Sequence, residues 1–170
     1  MTEETVFSVQ EKALTVSYAD ENDRELLWEW RNDPETRRTA FETGEIHFEQ
    51  HCEWFNSKIN SETTKIFIIK DSKQTPVGQI RFDIDENKNT EIDVFIAKSE
   101  RGKGYATASL KSACVYGFTT LGIEKFTAHI KTENAASIAL FTKAGFTNNG
   151  ELTFKNTPAI KFVLEKTINE

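Results

Sequence analysis

The stretch Glu100-Arg101-Gly102-Lys103-Gly104-Tyr105-Ala106-Thr107 constrains this chain more than any other. Ahead of it, Glu91-Ile92-Asp93-Val94-Phe95-Ile96-Ala97 reads as a strand. Behind it, Ala106 to Tyr116 reads as a helix, with Ala108, Leu110, Ala113 and Cys114 recurring on one face. A strand, a glycine turn and a helix in that order build an anion cradle. The glycines admit backbone that other residues avoid, and they let amide N–H groups turn toward a ligand. The helix start adds unpaired N–H groups and a partial positive charge. A phosphate is the natural occupant of such a place, and Arg101 and Lys103 bring cations to the same loop.

The rest of the chain supplies a scaffold for that loop. Residues 1–12 read as a tail or a short added strand, and residues 13–170 as one domain. Ala13 to Tyr18 alternates apolar and polar residues, as a strand does. Asp20 or Asn22 is placed to cap a helix carrying Leu26, Leu27 and Trp30, which ends before Pro34. Arg31 to Arg38 reads as an arginine-rich loop. Phe48, Cys52, Phe55 and Ile59 form the apolar stripe of a second helix from about Phe48 to Ile59. Lys65–Lys70, Val77–Ile84 and Glu91–Ala97 read as strands. In the second of these Arg81 and Asp83 share one face, opposite Ile80, Phe82 and Ile84. After the loop helix come a strand at Phe126–Ile130, a helix headed by Asn134 and ended by Gly145, and closing strands at Phe146-Thr147 and Ile160–Leu164. This order predicts an α/β fold, a mixed central sheet with helices on both faces.

Two common phosphate loops are excluded by spacing. A Walker A loop needs four residues between its first glycine and Gly-Lys-Ser/Thr, and none stands here. The dinucleotide fingerprint fails because Thr107 occupies the place of the third small residue and no second βαβ half follows. Arg101-x-x-Gly104-x-Ala106 instead resembles the acetyl-CoA pyrophosphate loop of the GNAT N-acetyltransferases, which reads Arg/Gln-x-x-Gly-x-Gly/Ala. A second family-like motif runs from Asn134 to Phe146, and the order of elements is similar to the GNAT fold over roughly residues 13–165.

The resemblance implies acetyl-CoA as co-substrate and acetyl transfer to an amine. It assigns cofactor contacts to Val94, Phe95, Ile96, Arg101, Gly102, Lys103, Gly104, Tyr105, Ala106, Thr107, Asn134, Ser137 and Phe141. In the family a backbone N–H near the position of Val94 or Phe95 polarises the thioester. Asn134 is expected to contact the pantetheine arm or to cap its helix. Many members carry Tyr, a proton donor for the thiolate, where this chain has Phe141; phenylalanine has no proton to give.

A base must free the amine's lone pair. Glu91 and Asp93 lie two apart on one strand, hence on one face, and Asp83 is on the neighbouring strand. Simple alternation on a solvated sheet face accounts for the same carboxylates without catalysis.

A narrower resemblance runs through Trp30-Arg31-Asn32-Asp33-Pro34, Ile46 to Phe55 around His51, and Gly78 to Asp83. It looks like the family's amino-sugar branch, whose members acetylate the 4-amino group of UDP-linked deoxy sugars. It implies Arg31, His51 and Arg81 as acceptor ligands, because arginine suits bidentate phosphate contact. The alternatives are a protein N-terminal, polyamine or aminoglycoside acetyltransferase, or a non-catalytic acyl-CoA-binding module.

Other classes are disfavoured. A net charge of −6 argues against nucleic acid as a partner. Residues 1–12 are acidic without a long apolar run and no segment reaches spanning length, so neither a signal peptide nor a membrane anchor is expected. Cys52 and Cys114 suit packing in a reducing cytoplasm better than a disulfide. His47 and His51 are four apart, but Glu49 stands one place too late for an H-E-x-x-H zinc motif, so no metal is expected. A monomer or homodimer is expected.

Overall fold

In a computed structural model, residues 4–168 are described. Eight strands form one sheet: β1 (Thr5–Val9), β2 (Leu14–Tyr18), β3 (Thr64–Lys70), β4 (Pro76–Ile84), β5 (Asn89–Ile96), β6 (Lys125–Lys131), β7 (Thr147–Phe154) and β8 (Thr157–Glu165), in the spatial order β1-β2-β3-β4-β5-β6-β8-β7. Five helices accompany them: α1 (Arg24–Asn32), α2 (Pro34–Thr39), α3 (Phe48–Ile59), α4 (Tyr105–Thr119) and α5 (Ala135–Lys143). The described part of residues 1–12 thus supplies an edge strand, β1, paired antiparallel with β2.

The alternation of β3 shows why helices cover both faces. Phe67 and Ile69 point to the larger core, with Ile80, Phe82 and Ile92 of the next strands and Leu110, Ala113 and Cys114 of α4. Ile66 and Ile68 point the other way, to Leu27 of α1 and Phe55 of α3. A strand buried on both faces reads as a continuous apolar run, as Ile66-Phe67-Ile68-Ile69 does. The larger core is zipped by contacts between aromatic rings: Phe67 to Phe82 edge-on, and Phe82 to Phe126 tilted, each 5.1 Å between centroids.

Two elements depart from expectation. Arg31–Arg38 is not a loop: Arg31 lies in the last turn of α1, and Pro34 opens α2 with the Asp33 carboxylate accepting from the Thr36 amide at 3.1 Å. Asp followed by Pro is a helix start as well as a turn, because proline at the first helical position sacrifices no hydrogen bond. β7 is longer than expected because its side chains are almost all exposed, which leaves no apolar alternation to read.

The junction of β5 and β6 positions the site. Every other neighbouring pair is antiparallel, but these two run parallel, and they pair only at Asn89–Lys125, Thr90–Phe126 and Glu91–Thr127. Beyond Glu91 the two strands part and the sheet opens into a wedge.

Candidate active site

The cradle forms as the glycine pattern predicts. Gly102 and Gly104 both adopt positive φ, +81° and +78°, and Gly104 is the N-cap of α4. Among the described residues, no amide from Gly102 through Thr107 donates to a protein acceptor; the first return bond of the helix is Ala108 N–H to Gly104 O, 3.2 Å. A run of unpaired amides at the start of a four-turn helix suits a pyrophosphate.

The loop's cations are held differently from expectation. Lys103 Nζ sits 2.6 Å from Glu100 Oε2. Arg101 donates through Nε to the Ile96 carbonyl at 3.0 Å, and its Nη1 lies 3.2 Å from Glu35 Oε2. Arg101 is thereby a brace between the end of β5 and α2.

The wedge carries main-chain groups toward the cradle. Asp85 N–H bonds to Asn89 O and Ala97 N–H to Val77 O, which fixes the β4–β5 ladder. In an antiparallel ladder hydrogen-bonded and non-bonded pairs alternate. Phe95 therefore directs its N–H to β4, while Val94 and Ile96 direct theirs into the gap that β6 has left. Of the two positions expected to present an oxyanion donor, Val94 has the free amide. The Phe95 side chain packs against Trp30, with centroids 5.2 Å apart.

Glu91, Asp93, Arg81 and Asp83 share the sheet face under α1–α3. Asp83 is fully engaged: Arg81 Nε is at 2.9 Å, the Thr64 hydroxyl at 3.1 Å and Lys58 Nζ at 3.7 Å. Asp93 accepts no hydrogen bond among the described residues and lies in the field of Arg31 and Arg81. Glu91 stands at the point where the strands part. Its Oε1 is 3.3 Å from Nδ1 of His129 on β6, and the His129 ring stacks flat on Phe154 at 4.1 Å. Sequence reading did not single out His129. The signal was its alternation with Phe126, Ala128 and Ile130, which places it opposite the core.

The expected acceptor ligands divide. Arg81 reaches over Trp54 of α3, 5.6 Å to the ring. Burial pulls the Arg81 guanidinium down, but Asp93, Asp83 and Glu91 outweigh it and hold the group above its ordinary range. Arg31 donates Nη2 to the Glu42 carbonyl at 3.0 Å, while its buried Nη1 has no partner. Burial lowers its pKa, against the pull of Asp93 and Glu42.

His51 is corrected: it is 4% exposed, donates Nε2–H to the Arg24 carbonyl at 2.8 Å and packs beside Phe55. It anchors α3 to α1, and its Nε2 is engaged within the protein. Phe141 is corrected likewise. It is a core side chain, 4% exposed, packed against Phe146 and Phe162. Asn134 caps α5, accepting from Ser137 N–H at 3.2 Å, so its oxygen is occupied while its amide nitrogen has no protein acceptor among the described residues. Ser137 meets that cap through its backbone. The Tyr18 and Tyr116 hydroxyls bond to each other at 3.0 Å. Tyr116 lies about 18 Å along α4 from Gly104 at 1.5 Å per residue, too far to serve the thiolate.

An open cavity of about 570 Å³ lies between α1 and the end of β5, lined by Glu29, Trp30, Asp33, Phe95, Ala97, Lys98 and Ser99. Among the described residues no group of three His, Cys, Asp or Glu side chains is placed to hold a metal, and no helix is long and apolar enough to cross a membrane.

Residues 14–147 match the acetyltransferase (GNAT) domain family. The chain belongs to the GNAT acetyltransferases. The GNAT enzyme is 25% identical to spermidine N(1)-acetyltransferase of Vibrio cholerae over 142 residues, 82% of each chain. It is 32% identical to human alpha/beta-tubulin-N-acetyltransferase 9 over 154 residues, 79% of this chain and 72% of the relative. Its fold superposes on the crystal structure of the Vibrio cholerae spermidine N-acetyltransferase in complex with CoA and spermine with a TM-score of 0.83, at 22% identity, over 90% of this chain and 95% of that one. Another structure of that bacterial enzyme is described as dodecameric (TM-score 0.76), an assembly outside the expected monomer or homodimer. The fold, the acetyl-CoA dependence and the N-acetyltransferase activity expected of this GNAT enzyme therefore hold. Neither of these relatives is named for an amino-sugar acceptor.

Proposed function

We propose that this GNAT enzyme acetylates a primary amine of a small polycation of the polyamine class. The observation that carries the reading is the cavity beside β5. Its walls are two aromatic rings, Trp30 and Phe95, and two carboxylates, Glu29 and Asp33. The backbone amide of Thr36 holds Asp33 below the usual carboxylate range, so it stays ionised. The cavity's one cation, Lys98, is paired with Glu35 at 3.2 Å. Aromatic faces beside two carboxylates, Glu29 without an ion-pair partner among the described residues and Asp33 at the start of α2, suit an alkylammonium chain. The spermidine acetyltransferases among its relatives support the same class.

Chemistry at the wedge follows from the residues there. A primary amine with a pKa near 10 arrives protonated at neutral pH and has no free lone pair. Glu91, with His129 beside it, receives that proton. The nitrogen then bonds to the acetyl carbon and the C–S bond breaks; the second proton that the nitrogen must shed passes through water to the departing thiolate. The Val94 N–H, directed into the gap, stabilises the charge that grows on the carbonyl oxygen. The amides of Gly102 to Thr107 hold the pyrophosphate.

A second reading, a nucleotide-linked amino sugar, is favoured by one observation: the buried, unpartnered Nη1 of Arg31 near Arg81. Thiol release measured across spermidine, spermine, a UDP-linked 4-amino sugar, an aminoglycoside and an N-terminal peptide separates the readings. We expect turnover of the polyamines, no competition by UDP, and a raised acceptor KM for Glu29→Gln and Trp30→Ala at unchanged acetyl-CoA KM. Competition by UDP, with Arg31→Ala raising the acceptor KM, would overturn the polyamine class in favour of the sugar. CoA binding without turnover of any amine would mark a non-catalytic binding module.

A further inference from the structure

The residues before the matched family region end in a feature placed against the glycine loop. β1 turns into β2 through a single 3-10 turn, Gln10–Lys12. The turn closes on Ala13, which takes left-handed backbone, φ +51° and ψ +41°, with its N–H bonded to Gln10 O at 3.2 Å. Left-handed backbone is strained for a residue with a side chain, and it persists only where the surroundings fix it. Here β1 is fixed by its pairing with β2 and by Phe7, whose ring stacks on Tyr116 of α4 at 5.1 Å. The hairpin is thus tied to α4, and its tip lies at the opposite end of that helix, beside the cradle.

Lys12 is the residue delivered there. A Cβ built on Gly104 would stand 3.1 Å from Lys12 Cε and 3.2 Å from its Nζ. The ammonium therefore lies against the cradle glycine itself. It differs from the loop's other cations in one respect: Arg101 and Lys103 are paired with Glu35 and Glu100, whereas Lys12 has no carboxylate partner among the described residues. It is exposed and free to turn to an arriving anion.

We propose that Lys12 is an additional cofactor ligand, its ammonium contacting a phosphate of bound CoA, and that the β1–β2 hairpin serves to place it. The inference rests on the cradle as the CoA site. A charge-assisted hydrogen bond of this kind, partly exposed, corresponds to about a tenfold change in affinity.

Calorimetric titration of CoA into the full chain tests it, with Lys12→Met keeping the apolar stem, Lys12→Arg keeping the charge, and melting curves confirming the fold. Lys12→Met is expected to bind CoA about tenfold more weakly and Lys12→Arg close to the parent. The difference should shrink at high salt, as a contact between exposed charges does. Acetyl-pantetheine, which lacks the phosphates, should bind parent and variant alike. A penalty that persists with 3′-dephospho-CoA assigns the contact to the pyrophosphate, and one that vanishes assigns it to the 3′-phosphate; either supports the proposal. Equal CoA affinity in Lys12→Met and parent overturns it while leaving the cradle standing. A parent that binds no CoA overturns the cradle and this inference together.

Discussion

Substituting alanine for Gly104 places a known strain in the cradle. At φ +78° an L-residue costs about 1–2 kcal/mol relative to glycine. The new Cβ also meets Lys12 Cε at 3.1 Å and Nζ at 3.2 Å, but these are the end of a flexible side chain and can swing away. Backbone strain is therefore the larger cost, and it has two outlets. If the loop keeps its shape, the strain lowers stability and the melting temperature falls by about 2–8 °C for a chain of this size. If φ relaxes to negative values, the amides of the loop turn out of the cradle and CoA affinity drops about five- to thirtyfold, the equivalent of the same free energy. Gly102→Ala is the control: φ is +81°, and no atom lies within 4 Å of its Cβ, so it carries the strain without the displaced lysine. CoA titration and thermal melts on both variants partition the cost. We expect Gly104→Ala to lose more affinity than Gly102→Ala. A Gly104→Ala protein with parental affinity and parental melting temperature would refute the argument that these amides are held for an anion.

Two further outcomes are expected. Glu91→Gln should slow acetyl transfer by about 10²–10⁴-fold, with the deficit greatest below the pKa of the amine, and superimposable pH–rate profiles would remove Glu91 from the proton path. His51, whose pKa burial lowers, binds fewer protons folded than unfolded, so its contribution is complete above about pH 6.5 and is lost as pH falls below that value; replacing it with Gln should flatten the acid limb of stability measured by urea unfolding, and an unchanged limb would assign the acid loss elsewhere.

Local patterns carried most of the fold. α3 runs from Phe48 to Ile59 as its apolar stripe indicates, and the glycine spacing located the N-terminus of α4 within one residue. The same stripe held the correction for His51, which lies four residues before Phe55 and so shares its buried face. Phe141 follows the same logic, seven residues after Asn134 and three after Ile138 on α5. Chemistry-bearing residues were chosen by type, and periodicity had already consigned two of them to the interior. What no local pattern contains is the meeting of Glu91 with His129, or of Lys12 with Gly104. Each joins segments far apart in sequence, and each exists only because β5 and β6 align briefly or because a hairpin docks on α4.

The parting of β5 and β6 has a consequence for how such a protein can diverge. The groups turned into the wedge by Val94 and Ile96 belong to the main chain, so a cofactor seated there as proposed would be met by atoms every residue possesses. What inheritance must preserve at these positions is a shape and a hydrogen-bond direction, not a side chain. Val94 could drift among β-branched or aromatic residues and still offer its N–H to the same point in space. The acceptor cavity proposed above, walled by Glu29, Trp30, Asp33 and Phe95, would have no such latitude, because each exchange of Glu29, Trp30 or Asp33 would alter what is recognised. A superposition at 0.83 with 22% identity shows that the fold is kept while most side chains differ.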